Sequence, residues 1–356
     1  MRSSDTLMTS DMSGGSARSS EPDNAPTAFQ LLAAIWQRVL GVSSVRADDN
    51  FFDLGGESAS AISLFAEIAR LTNRRLPPTT IYQAPTLAAL AALLEQPDTP
   101  SFLPLVPLKH GTEGPPIFVA HGLGSIRELF HVVRRLELPY PVHGMQVKGI
   151  DGISQPLESV ESMADVYLDA IRQVQPHGPY SLVGYSFGGL VALEVAQCLV
   201  ARGERVGLLA MVDSYPHRRF LPLAHRARLL ARLAGHRASG SLGRIASGHG
   251  PAGTGKEELY CPPGSATFAP AMQRIRESAD LALMRYQPRY YPGRIVFVKA
   301  QVRTKFPEDP AAFWKPLASK FELETVPGDH VGMLTTHAAE VASVLARHLK
   351  GALCRQ

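Results

Sequence analysis

The six residues Gly184-Tyr185-Ser186-Phe187-Gly188-Gly189 constrain this chain more than any other stretch. Before them, Tyr180 to Val183 is a short apolar run. After them, Leu190 to Leu199 has the apolar spacing of a helix. A chain that passes from strand to helix within so few residues must turn sharply. Glycines on both sides give strand and helix room to cross, and the serine is left in a strained conformation at the tip. Its hydroxyl then faces the space above a sheet, beside a helix N-terminus, where it can act as a nucleophile. The blander reading is a tight strand–helix turn whose serine caps the helix. The strand-like and helix-like flanks favour the nucleophile.

The wider pattern agrees with a sheet of parallel strands. Short apolar runs occur at Pro116 to Ala120, Tyr180 to Val183, Val206 to Val212, Arg294 to Lys299 and Phe321 to Val326. Helical patterns separate most of them, among them Met163 to Val174 and Gly189 to Ala201. Such alternation predicts a mostly parallel sheet covered on both faces. Residues 215–286 break the rhythm with helical and Gly-rich segments, and read as a lid inserted between two strands.

A serine hydroxyl needs a base, and among 12 histidines position must choose it. His330 follows the last strand pattern and precedes the last helix, in a loop at the sheet edge that carries the serine. His121, before a Gly-x-Gly turn after the first strand, suits an oxyanion-hole loop better than a base. The acid that orients the base is Asp213, directly after the run Val206 to Val212. Asp309, farther into a Pro-rich loop, is its rival. The order Ser186, Asp213, His330 is that of the α/β-hydrolase fold. The oxyanion needs two backbone donors. Phe187 N–H is one. The other comes from the turn His121-Gly122-Leu123-Gly124, most simply Leu123, with Gly124 left open.

The first hundred residues obey different rules. Ala28 to Leu40, Ser58 to Leu71 and Thr86 to Leu94 are helical patterns, with a short turn at Thr80-Ile81-Tyr82, and nothing between Ala25 and Pro97 alternates like a strand. This predicts a small all-α bundle near the minimum size that folds alone. Asp49-Asn50-Phe51-Phe52-Asp53-Leu54-Gly55-Gly56-Glu57-Ser58 leads into its second helix. The aromatic and leucine residues anchor the loop, the glycines turn it, and Ser58 stands at a helix N-terminus suited to a phosphodiester. An ordinary N-cap serine is the alternative. Residues 1–24 read as a disordered leader, 25–97 as the bundle, 98–113 as a linker and 114–356 as the sheet domain.

At 356 residues and 45% hydrophobic content the chain can bury one sizeable core and a small second module. No apolar stretch is long enough to span a membrane, and the start lacks a secretory signal. Three scattered cysteines offer no metal-ligand spacing and suggest a reducing, cytoplasmic location. A net charge of +4 without a basic, aromatic-interleaved run points to no nucleic-acid partner.

Residues from about Ala25 to Gln96 resemble a peptidyl or acyl carrier domain of the nonribosomal peptide synthetases, on the match of Asp49 to Ser58; Ala59 replaces a larger aliphatic residue there. Residues from about Leu103 to Leu349 resemble the type I thioesterase domain that ends such assembly lines. That resemblance rests on the Gly184 to Gly189 elbow, on Leu209 to Pro216 with Asp213, and on Gly328-Asp329-His330-Val331-Gly332-Met333-Leu334. It implies a four-helix carrier followed by an α/β-hydrolase domain with a helical lid. It implies 4′-phosphopantetheine on Ser58, added by a separate phosphopantetheinyl transferase. It further implies an acyl or peptidyl thioester substrate passed to Ser186 and then to water or an internal nucleophile. With no condensation or adenylation region before it, the didomain is expected to be loaded in trans by an upstream synthetase or acyl-loading enzyme. Two other readings stand beside this one: a carrier or delivery module with an inactive or gating hydrolase domain, and an esterase or acyltransferase acting on a free substrate. Within the lid, Arg218, Arg219, Arg226, Arg228, Arg232, Arg237 and Arg244 occur with no Asp or Glu between Asp213 and Lys256. They suggest a docking surface for the acidic carrier loop, or simply a solvated face.

Overall fold

A computed structural model of the chain describes residues 27–56, 58–74, 76–78, 80–96, 102–123, 129–150, 154–221, 223, 269–302 and 309–353. The expected leader, Gly124, and most of the expected lid, including Arg226, Arg228 and Arg232, lie outside the described residues.

The N-terminal unit is helical throughout. Helix α1 (Ala28–Leu40) begins at a reciprocal capping box between Thr27 and Gln30 and ends at Gly41, whose φ of 70° only glycine adopts freely. Its stripe Leu32, Ile35 and Trp36 is buried. Helices α2 (Ser58–Thr72), α3 (Thr80–Gln83) and α4 (Leu87–Glu95) complete the unit, and Thr86 caps α4. The stretch expected as a turn at Thr80 to Tyr82 is the single-turn helix α3. Phe51 is fully buried and meets Trp36 edge-on at 5.2 Å between ring centroids. Burying one such ring stabilises the fold by roughly 3 kcal/mol, so Phe51 can fasten the loop before α2 to α1.

The second unit is built on a seven-stranded sheet of order β1-β3-β2-β4-β5-β6-β7. The strands are β1 (Leu105–Lys109), β2 (Ile117–Ala120), β3 (Val142–Met145), β4 (Tyr180–Tyr185), β5 (Val206–Val212), β6 (Tyr291–Ala300) and β7 (Ala318–Val326). Only β1 runs antiparallel to its neighbour; the other pairings are parallel. The helices are α5 (Phe130–Arg134), α6 (Val160–Val174), α7 (Phe187–Ala201), α8 (Ala269–Arg285), α9 (Ala311–Trp314) and α10 (Ala338–Leu353). The central strand β4 is buried on both faces. Val183 and Tyr185 join a core with α5 and α10, while Tyr180 and Leu182 join one with α6 and α7. This is a small all-α unit followed by a unit built on a mostly parallel sheet, the arrangement expected of the α/β-hydrolase fold.

Two strands, β1 and β3, were absent from the sequence expectation, and β1 lies inside the range 98–113 expected as linker. Pro107 interrupts β1, which a strand tolerates only at a sheet edge, where β1 sits. Strand β3 is four residues long with a glycine in it. Among the described residues no helix is long and apolar enough to cross a membrane.

Helix α7 is held from behind. Glu194, buried on α7, accepts hydrogen bonds from Tyr286 Oη at 2.9 Å and Arg289 Nη2 at 2.6 Å. Gln197 Nε2 donates to the Arg289 carbonyl at 2.9 Å. These bonds tie α7 to the chain that returns after α8 into β6.

Candidate active site

Ser186 occupies the turn between β4 and α7 with φ 52° and ψ −122°, a conformation that L-residues rarely adopt. The surrounding backbone holds it there. Its N–H donates to the Val212 carbonyl at 2.9 Å, and its own carbonyl accepts from Ser214 Oγ at 2.6 Å. The flanking glycines are dictated by close approach. A Cβ on Gly184 would come within 2.3 Å of the Gly188 carbonyl oxygen, and one on Gly188 within 2.1 Å of the His121 carbonyl oxygen. Any larger residue would push α7 off the sheet or away from the His121 turn.

The structure brings Ser186, Asp213 and His330 together from the ends of β4, β5 and β7. Ser186 Oγ lies 3.0 Å from His330 Nε2, and His330 Nδ1 lies 2.8 Å from Asp213 Oδ2. An ionised carboxylate only accepts, so Nδ1 carries the proton and Nε2 is left to accept from the serine. Asp213 has a side chain 2% exposed, and its second oxygen accepts the Ala300 N–H at 3.3 Å. Its backbone sits at φ 44° and its N–H donates to the Val298 carbonyl at 2.8 Å, which holds the carboxylate against the base. Asp309, the rival acid, accepts the N–H of Ala311 at 3.0 Å at the start of α9 instead.

His121 is buried and its Nδ1 lies 2.6 Å from the Gly122 carbonyl. Burial lowers its pKa to about 4, so it stays neutral near neutral pH. Its ring bonds within the turn beside Ser186, whereas the nitrogen that lies against Ser186 Oγ is Nε2 of His330. Leu123 is half-buried in that turn, and Phe187 is the first residue of α7, where backbone N–H groups lack partners within the helix.

Sequence reasoning did not single out Tyr185, the residue before the serine. Its ring stacks on His330, with centroids 4.8 Å apart and planes at 24°, and its hydroxyl donates to the His330 carbonyl at 2.8 Å. Position within the elbow was the available signal, since that residue's side chain must point to the opposite face of the turn from its neighbours. Trp314 was missed as well. Its Nε1 donates to the Ser214 carbonyl at 3.1 Å and so braces the residue that bonds Ser186.

In the N-terminal helical unit, Gly55 has φ 88°, and a Cβ on Gly56 would lie 2.4 Å from the Phe51 ring and carbonyl. The loop therefore folds tightly over Phe51 and enters α2 at Ser58. A phosphate attached at the first residue of this 15-residue helix would meet the positive end of its dipole.

Comparison with known proteins decides what the two units are. Residues 30–94 match the family model for a phosphopantetheine attachment site, and residues 115–236 match the model for a thioesterase domain. The chain joins a phosphopantetheine carrier domain to a thioesterase domain. Its relatives are nonribosomal peptide synthetases. It is 37% identical over 196 residues to a dimodular nonribosomal peptide synthase of Bacillus subtilis, covering 54% of this chain and 8% of the relative. It is 33% identical over 202 residues to enterobactin synthase component F of Escherichia coli, covering 55% of this chain and 16% of the relative. The chain thus spans a small fraction of each curated relative's length. A solved four-domain nonribosomal peptide synthetase superposes on 95% of this chain and 27% of its own, with a TM-score of 0.57 at 21% identity, which shows a shared fold. The thioesterase match ends before His330, whose Nε2 lies 3.0 Å from Ser186 Oγ.

Proposed function

We propose that the carrier domain holds an acyl or peptidyl group at Ser58 and that the thioesterase domain releases it through an ester on Ser186. The observation that carries this reading is the Ser186–His330–Asp213 relay, at 3.0 and 2.8 Å, in the chain that also bears the attachment domain. The tight loop over Phe51 and the helix start at Ser58 fit a phosphopantetheine arm. When attached, that arm supplies the thiol of the substrate thioester.

His330 Nε2 takes the proton of Ser186 Oγ as the oxygen attacks the thioester carbonyl carbon. Asp213 holds the imidazole in the accepting tautomer and stabilises its cation. The N–H groups of Phe187 and Leu123 receive the oxyanion; removing one such donor typically costs about 10²–10³ in rate. His330 then returns the proton to the departing sulfur as the C–S bond breaks. In the second half His330 deprotonates water, or a hydroxyl or amine of the acyl chain itself, which attacks the Ser186 ester and restores the serine. The first choice yields a free acid and the second a ring. The loading enzyme, a synthetase or acyl-loading protein, and a cytoplasmic setting belong to this same reading.

Intact-protein mass spectrometry tests it. After incubation with coenzyme A and a promiscuous phosphopantetheinyl transferase, the protein should gain one arm, and Ser58→Ala should gain none. With an acyl arm loaded, Ser186→Ala should retain the acyl mass that the parent loses. Normal release by Ser186→Ala would refute the mechanism.

A further inference from the structure

The loop that leads to Ser58 is not free in this structure. Phe52 stacks on Tyr82 of α3 at 5.1 Å, and both rings meet Phe130 at the start of α5, at 4.5 and 5.4 Å between centroids. Phe52 and Tyr82 belong to the carrier domain, whereas Phe130 belongs to the thioesterase domain and opens the helix that follows the Leu123 turn. Next to this trio, Arg134 of α5 lies 3.8 Å from Asp53 of the carrier loop. Helix α3 also packs on edge strand β1. One hydrophobic core runs without a break from Trp36 and Phe51 to Val106, Leu129 and Val132.

We propose that Phe130 and Arg134 form the dock on which the thioesterase domain receives its own carrier, and that docking and loading exclude one another. The inference rests on the release reading above. Its physical basis is which surface the dock covers. Phe52 and Asp53 lie within six residues of Ser58, so any enzyme that modifies Ser58 or acylates its arm must approach across them. In the docked state Phe52 packs in a three-ring cluster drawn from both domains and Asp53 faces a guanidinium. The aromatic contact supplies most of the hold, because an ion pair as exposed as Asp53–Arg134 contributes little and mainly sets the register. The two domains share one chain, and a short tether gives effective concentrations of order millimolar. Loading requires that the carrier leave this contact.

Phe130→Ala removes the central ring from the thioesterase side and leaves the carrier's own sequence intact. Two rates are measured on parent and variant: arm attachment to Ser58 by a promiscuous transferase with coenzyme A, and single-turnover loss of an acyl group already on the arm. Hydrolysis of a small soluble thioester, which does not use the dock, is the reference. Relative to it, attachment should speed up about threefold or more and release from the arm should slow about tenfold. Arg134→Glu should shift both rates in the same directions by a smaller factor, and adding Asp53→Arg to it should restore them. Unchanged attachment and release in Phe130→Ala, with the arm attached and the reference reaction intact, would overturn the dock alone. A parent that gains no arm would overturn the carrier reading and the dock with it.

Discussion

Asp213→Asn isolates the role of the acid more cleanly than any truncation. Asparagine has nearly the same shape and tolerates the positive φ of 44° found here, so the backbone after β5 should not move. The difference lies in hydrogen-bond polarity. Asp213 accepts from the Ala300 N–H at 3.3 Å and from His330 Nδ1 at 2.8 Å. Asparagine offers one acceptor and one donor. The Ala300 N–H is a backbone donor and cannot change its role, so the amide oxygen must face it and the amide NH2 must face Nδ1. The imidazole then carries its proton on Nε2, and at 3.0 Å from Ser186 Oγ it donates where it has to accept. A wrong tautomer of this kind costs about 10⁴-fold in turnover, or ~5 kcal/mol of transition-state stabilisation. The assay is single-turnover acylation of Ser186 by a soluble acyl thioester, followed by intact mass, with thermal unfolding as a check on the fold. Asp309→Asn is the control, because that carboxylate bonds the Ala311 N–H at the start of α9. A rate for Asp213→Asn within tenfold of the parent, or an equal loss in Asp309→Asn, would refute the assignment.

Tyr185→Phe keeps the stack on His330 and removes the hydroxyl that bonds its carbonyl. A lost hydrogen bond of about 1 kcal/mol predicts a roughly fivefold fall in kcat, while Tyr185→Ala, which also removes the ring, should exceed a hundredfold; steady-state kinetics on a soluble thioester separates the two. Ser58→Ala should abolish arm attachment yet leave soluble-thioester hydrolysis at the parental rate, as the mass and hydrolysis assays can show side by side. His121 has its folded pKa depressed from 6.5 to about 4, so the unfolded chain binds more protons between those values and stability must fall as pH drops through that window. By linkage the loss is about 2 kcal/mol at pH 5 relative to pH 7 or above, read from urea unfolding midpoints. His121→Gln should remove that part of the pH dependence.

The features legible in the sequence are those written in consecutive residues. The elbow around Ser186 and the loop before Ser58 are local: glycine, aromatic and serine positions within about ten residues of one another dictate the turn and what stands at its tip. The helix α1 and the strand β5 were likewise readable to the residue, because Thr27 and Gly41 cap the one and unbroken apolar runs mark the other. Strands β1 and β3 were not, since a proline, a glycine and a histidine hide short strands that exist only because their neighbours pair with them. Position along the chain could nominate His330 and rank Asp213 above Asp309, but only the folded sheet shows which carboxylate lies against the imidazole. Tyr185 acquires its place beside the base from a loop far along the chain, and Phe52 meets Phe130 across a domain boundary. Such contacts depend on where the backbone brings distant residues, and no local pattern encodes that distance. The sequence by itself therefore determined the chemistry each unit carries, while the tertiary structure alone decided which side chains hold that chemistry in register and how the carrier rests on its thioesterase.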